Sequence, residues 1–169
     1  LMANYDIMTF LEYYADRASV FDSSTSKRTP TNQWQNFYQV KQQLSTDNES
    51  DGDYLYLAFD CDGFSSTAAA AIGDLRVELA ATAQIVDITN TAIAADNLII
   101  ASLYIQNAGN DSFHAGSAQQ ISRYIGSIEE ASLSDETVEW TVNPAINKLN
   151  PQVPTRVVTE DMMGRFLPR

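Results

Sequence analysis

Cysteine is all but missing from this chain: Cys61 is the single example among 169 residues. One thiol can form neither an intrachain disulfide framework nor a cysteine-rich zinc or iron-sulfur site. Its neighbours Asp60 and Asp62 offer no positive charge to hold a thiolate, so a small buried side chain is the role that fits. Histidine is equally scarce. His114 is the only imidazole, and any Ser-His-Asp or Cys-His set would have to recruit it from the loop-like run 111–116, where no nucleophile-elbow motif accompanies it. A lone histidine also argues against a catalytic zinc centre. The seven glycines are scattered, without the spacing of a dinucleotide or triphosphate loop.

Positive charge is the next shortage. Ten Lys and Arg stand against 22 Asp and Glu, a formal charge of −12. Neutralising a phosphate backbone needs clustered cations, so nucleic acid is not an expected partner. The acidity suits solubility, or a medium rich in salt or divalent cations. Long apolar runs are missing too. The longest, 98–105, is interrupted by Ser102 and falls well short of the roughly 20 helical residues that cross a bilayer. Asp6 and Glu12 sit where a secretory signal would need a basic region and an apolar core. The expectation is a soluble chain, not inserted in a membrane and not exported by the standard route.

What is present is a supply of apolar residues, 44% of the chain, enough for one domain with a core. The runs 74–79, 97–106, 122–129 and 137–142 alternate with period two, so each can bury one face as a strand. Residues 54–59 form a compact aromatic run of the same kind, and 84–91, with Ile85, Val86 and Ile88 among polar residues, reads as another strand. Asp60 and Asp62, beside Gly63, read as turn residues rather than a catalytic pair. The small residues of 65–72 suggest irregular structure, 109–112 is the strongest loop signal, and 117–124 reads as a helical start before strand patterning resumes. Asn143-Pro144, Asn150-Pro151 and Pro154 break ladders, so 143–155 is expected as an extended surface connector. At the other end, Ile7, Leu11, Tyr14 and Ala18 share one helical face with Asn4 as N-cap, which predicts an amphipathic helix over 5–20. Residues 21–30 read as a Ser/Thr-rich arm, and 32–44 carry no clear period. The fold class that follows is mainly β (α+β): a β-sandwich-like domain over 51–159, an N-terminal helix and arm over 1–50, and a C-terminal tail over 160–169.

Two groups of side chains stand out as candidate sites. Asp47, Glu49, Asp51 and Asp53, with Gly52 among them, resemble the opening of a calcium loop, since alternate carboxylates and a turn-forming glycine are what such a loop requires. The twelfth position is Ala58 instead of a bidentate Glu, so the pattern is incomplete; the plainer alternative is an acidic, solvated turn before the 54–59 strand. No cofactor is expected. The second group is aromatic and apolar: Phe10, Tyr14, Trp34 and Phe37 near the start, with Met162 and Phe166 in the tail, are the candidate interface residues.

The layout from Asp74 onward resembles small tail-tip, hub or connector proteins of long-tailed bacteriophages and gene-transfer particles. The matching elements are the Asp74-Leu-Arg-Val-Glu-Leu strand, the Ile125-Gly-Ser-Ile-Glu-Glu-Ala turn into Val138-Glu-Trp-Thr-Val142, and the closing Asn147-Lys-Leu-Asn-Pro-Gln-Val-Pro-Thr-Arg156, about half the chain. Some members of that group carry an iron-sulfur centre on clustered cysteines, which a chain holding only Cys61 cannot. The resemblance implies a structural virion protein of the tail, made in the bacterial host cytoplasm. It implies action through contacts with copies of itself, in a homo-oligomeric ring, and with other tail proteins, and no catalysis. The alternative is a β-sandwich module that binds carbohydrate or a host surface through its aromatic residues, assisted by calcium at 47–53.

Overall fold

A computed structural model describes residues 5–16, 29–38, 53–64, 73–107 and 118–145. It is mainly β, with one helix among the described residues. The strands are β1 (Tyr5–Tyr14), β2 (Asn32–Gln35), β3 (Leu55–Tyr56), β4 (Phe59–Asp62), β5 (Leu75–Ala80), β6 (Leu98–Asn107), β7 (Gln119–Leu133) and β8 (Thr137–Pro144). Helix α1 (Ala83–Ala95) lies between β5 and β6. All eight strands belong to one sheet, in the order β3-β2-β1-β6-β7-β8-β5-β4.

The two outermost strands of that order are successive lengths of one stretch. Only Leu57 and Ala58 separate β3, which pairs parallel with β2, from β4, which pairs antiparallel with β5. The Leu57 amide donates to the Gln35 carbonyl at 3.0 Å, and the Ala58 carbonyl accepts from the Ala80 amide at 3.0 Å. Neighbouring residues therefore bond to opposite ends of the sheet, which forces the sheet to curl until its ends meet. Where the sequence led us to expect two stacked sheets, one sheet folds over on itself.

Curling gives the sheet an inside. Register places Leu11 and Tyr13 of β1 opposite Ala101 and Ile99 of β6, and Leu75, Val77 and Leu79 of β5 opposite Val142, Trp140 and Val138 of β8. These residues share one buried cluster with Trp34, Phe59, Tyr124, Ile128 and the inner face of α1. That face is Ile85, Ile88, Thr89 and Ala92, at the spacing of three and four that one side of a helix presents. Thr82 caps the helix by accepting from the Ile85 amide at 3.3 Å, and Asp96 ends it in the left-handed conformation at φ 52°. The Trp140 indole N–H donates to Thr89 Oγ1 at 2.8 Å, and Thr89 in turn donates to the Ile85 carbonyl at 2.6 Å, which fixes the helix against β8.

The outside of the sheet has two characters. On β5 the alternation is simple, with Arg76 and Glu78 facing out. On β1 and β6 the outward side chains Phe10, Tyr14, Leu98 and Ile100 are buried as well. They sit in two further apolar clusters, one with Met8, Tyr54 and Tyr104, the other with Ala145. Strands buried on both faces read as near-continuous apolar runs.

Several expectations from the sequence are corrected by this arrangement. Residues 5–14 are a strand, not the start of a helix: with both faces buried, Met8 to Tyr14 lack a polar alternate set, and a helical stripe arises in the pattern by accident. Residues 84–91 belong to α1, not to a strand, because Ile85 and Ile88 are one helical turn apart and only Val86 imitated alternation. The stretch from Gln119 is β7, not a helical start; its register shift opposite Leu103 and Tyr104 blurs the period there. The 54–59 run is broken into β3 and the start of β4 by the link at Leu57, and Asp60, Cys61 and Asp62 continue β4 instead of turning. Asn143 and Pro144 likewise extend β8, opposite Ser127 and Gly126, instead of opening a connector. The strands expected over 74–79, 97–106, 122–129 and 137–142 correspond to β5, β6, β7 and β8, with ends shifted by a residue or more. Residues 21–28, 65–72, 109–112 and 146–169 lie outside the described residues, so the expected terminal arms are not among those placed.

At Gly126, β7 presses close against β8. A Cβ there would run into the Asn143 carbonyl and meet Val142 Cγ1 at 2.8 Å. Backbone cannot step aside, so Gly126→Ala is expected to cost about 1–3 kcal/mol, the usual penalty of overpacking, read as a lower urea midpoint at unchanged slope.

Candidate functional site

Four features of the described residues could support function. The first is the outward face of β4, β5 and β8. Register sets Asp60 opposite Glu78, Asp62 opposite Arg76, and Glu78 opposite Glu139. Asp60, Asp62, Arg76, Glu78 and Glu139 line an open recess with a volume of about 220 Å³. Asp60 and Asp62 do share a side, as alternate strand residues must. Among the described residues, no three His, Cys, Asp or Glu side chains are grouped to hold a metal ion. The Asp60 carboxylate acts locally instead, accepting the Cys61 amide at 2.8 Å and so occupying a donor on the outer edge of β4.

Cys61 points the other way, toward the inner cluster. Burial, seconded by the charge of Asp60, pushes its thiol up to about 12 from an ordinary 9.0. A thiol held in that state is a poor nucleophile near neutral pH.

The second feature is a carboxylate inside the protein. Glu12 is 1% exposed, on the outward face of β1. It accepts the Tyr14 hydroxyl at 2.7 Å and the Tyr54 hydroxyl as well, and so ties the lead-in to β3 down onto β1. The Phe10 ring beside it meets Phe37, Tyr54 and Tyr104 edge-on, with centroids 5.4, 4.9 and 5.5 Å away. On the inner face of β1, the Asn97 amide donates to Tyr13 Oη at 2.7 Å, which binds the end of α1 to the same strand.

The third feature is a groove of about 120 Å³ between α1 and the β7–β8 hairpin. Val86, Thr89, Asn90, Ile93, Ala131, Ser132, Leu133 and Val138 line it, none of them charged.

The fourth is exposed apolar surface. The face that carries Leu11 and Ala101 runs on through Leu103, Ile105, Ile7 and Tyr5, where it leaves the core: Ile7 is 65% exposed and Tyr5 55%. At the far edge, Tyr38 and Tyr56 stack edge to face in solvent, 5.6 Å apart, beside the exposed Leu55 of β3.

The expected site residues distribute unevenly over this geometry. Phe10, Tyr14 and Trp34 are buried within the chain, and Phe37 packs partly buried on Phe10. Asp53 is exposed just ahead of Tyr54, while Asp47, Glu49, Asp51, His114, Met162 and Phe166 lie outside the described residues. Glu12 and Ile7 were not expected as site residues from the sequence. Glu12 had a signal, as the one acid inside the run from Ile7 to Tyr14. The exposure of Tyr38 had none, because nothing local separates a surface tyrosine from a core one. No helix among the described residues is long and apolar enough to cross a membrane. No protein-family model matches this chain, and no curated protein matches it.

Two outcomes follow from the buried groups. Replacing Tyr54 by Phe leaves a buried carboxylate with one hydroxyl fewer, so the variant should lose about 1.5–3 kcal/mol in urea unfolding, the worth of a hydrogen bond to a charged group. The Tyr124 hydroxyl, which donates to the Val142 carbonyl at 2.7 Å, is pushed up to about 12 from 10.0. Burial is the main cause; a backbone hydrogen bond from Leu75 works against it, and the charge of Asp74 adds to it. Both Cys61 and Tyr124 therefore hold their protons in the folded state while the unfolded chain releases them. Stability should be flat with respect to these groups below about pH 9 and fall between about pH 9 and 12, as thermal melts across that range would show.

Proposed function

We propose that this chain is a structural protein that works through contacts with other proteins, as a tail-tip, hub or connector component of a bacteriophage tail. The carrying observation is the apolar face that runs out of the core at Leu103, Ile105, Ile7 and Tyr5, with Ile7 65% exposed. A contiguous apolar surface of this kind on a curled sheet supports docking onto another protein. The resemblance of the 74–156 layout to tail proteins supplies the kind of partner: copies of the same chain in a ring, and neighbouring tail proteins. The sandwich-like packing expected from the sequence would come here from opposite walls of the curled sheet meeting in one core. Its place would be the virion, after synthesis in the host cytoplasm.

A second reading has its own support. Tyr38 and Tyr56 form an exposed edge-to-face pair with centroids 5.6 Å apart, and exposed aromatic rings suit a sugar or a host surface. In this reading Asp47, Glu49, Asp51 and Asp53 would hold a calcium ion.

Ile7→Asp and the pair Tyr38→Ala, Tyr56→Ala separate the two. Under the first reading, Ile7→Asp should abolish sedimentation of the chain with assembled particles while the tyrosine variant sediments normally. Under the second, calorimetry with calcium and a glycan panel should give heat that the tyrosine variant loses. If the wild-type chain neither joins a particle nor forms oligomers at any concentration, the structural reading fails.

A further inference from the structure

The closing stretch of the sheet is held differently from the rest. β1 and β6 are joined over ten register pairs, whereas β3 meets β2 over two, in parallel, and β4 meets β5 over four. Parallel pairing is also slightly weaker per residue. Leu55 and Tyr56 are largely exposed, so they add little burial to the join. Elements with short pairing and exposed residues open at lower free energy than the core around them.

Against this weak pairing stand two anchors with different surroundings. Tyr54, fully buried, packs on Phe10 outside the sheet and donates to Glu12. Phe59, 8% exposed, packs in the inner cluster. The two aromatic residues are five positions apart on opposite sides of one extended stretch, and Gly63 at φ 103° ends it where a Cβ would meet the Asp74 carbonyl at 2.7 Å.

We infer that residues 53–64 act as a strap that leaves the sheet as one unit, and that the seam it opens between β2 and β5 accepts the same strap from a second copy of this chain. The occupant follows from the anchors. A strand of other sequence would leave Glu12 buried without the Tyr54 hydroxyl and the Phe59 place in the core empty. An identical strap restores both, along with the parallel register on β2 and the antiparallel register on β5. Exchange of an identical element between protomers remakes every contact it breaks, which makes it a low-cost route to a dimer. Strap exchange needs no tail protein as partner, so it stands or falls separately from the function proposed above.

The test uses the full chain. In residue-resolved hydrogen exchange at sub-denaturing urea, the Leu57 and Ala80 amides should exchange together, at least about tenfold faster than the protected amides of β6, and Tyr54→Phe should speed both by about another tenfold while they still exchange ahead of β6. A mixture of ¹⁵N-labelled and unlabelled chains, held in that urea and returned to buffer, should give mixed-mass dimers by native mass spectrometry. Excess synthetic peptide of residues 53–64 should suppress them. Strap exchange is overturned if the Leu57 and Ala80 amides exchange only with global unfolding in both proteins, if the chain stays monomeric after those amides have exchanged, or if the peptide leaves the dimers untouched.

Discussion

The bond of Leu57 to β2 and of Ala58 to β5 is the constraint on which the rest of this structure depends. A sheet of eight strands left open would twist and expose two edges. Here the same stretch supplies both outermost strands, and a two-residue link leaves no room for a flat arrangement. Closure decides which faces become interior. The inward residues of β1, β5, β6, β7 and β8 converge on one cluster, and α1 covers them because its apolar side carries Ile85, Ile88 and Ala92 at helical spacing. Trp140 then does two things: it fills the middle of that cluster and hydrogen-bonds Thr89, so packing and helix placement depend on one side chain.

The outside is divided just as firmly. Along β4, β5 and β8 the outward residues are Asp60, Asp62, Arg76, Glu78 and Glu139, and water can solvate them. Along β1 and β6 they are Phe10, Tyr14, Leu98 and Ile100, all buried. A carboxylate on that second side has to be hydrogen-bonded, because an unsatisfied buried charge costs far more than a neutral group. Glu12 meets the requirement with two tyrosine hydroxyls, one from its own strand and one from the closing stretch. The clamp thus links the buried outer layer to the closure of the sheet.

How much of this was legible in the sequence depended on whether a strand has one wet face. β5 and β8 could be read because Leu75, Val77, Leu79 and Val138, Trp140, Val142 alternate with polar residues. β1 could not, since burial on both sides removes the period and leaves an apolar run that matches a helical stripe equally well. α1 was misread for the reverse reason: Val86 beside Ile85 and Ile88 imitated alternation, although Thr82 was a serviceable cap signal. The closure was out of reach, because strand order is set by pairings between residues as distant as Gln35 and Leu57, and nothing local encodes them. The candidate sites were legible to the same degree. Asp60 and Asp62 could be seen to share a side if they lay in a strand, whereas the burial of Glu12 and the exposure of Ile7 follow from which face of β1 is covered at each point.

That distribution of charge also restricts how copies of this chain could approach one another. With a formal charge of −12 and four carboxylates grouped around Arg76 on the β4-β5-β8 wall, two molecules brought wall to wall would bring like charges together. The surface at Ile7, Leu103 and Ile105 carries no such penalty, nor does the pairing edge beside Leu55 and Tyr56. Were copies to associate, repulsion on one side and exposed apolar surface on another would favour some orientations over others. Asp60 contributes to both halves, adding charge to the wall and occupying the Cys61 amide, so that the residue that repels a neighbour also takes up one donor on the β4 edge.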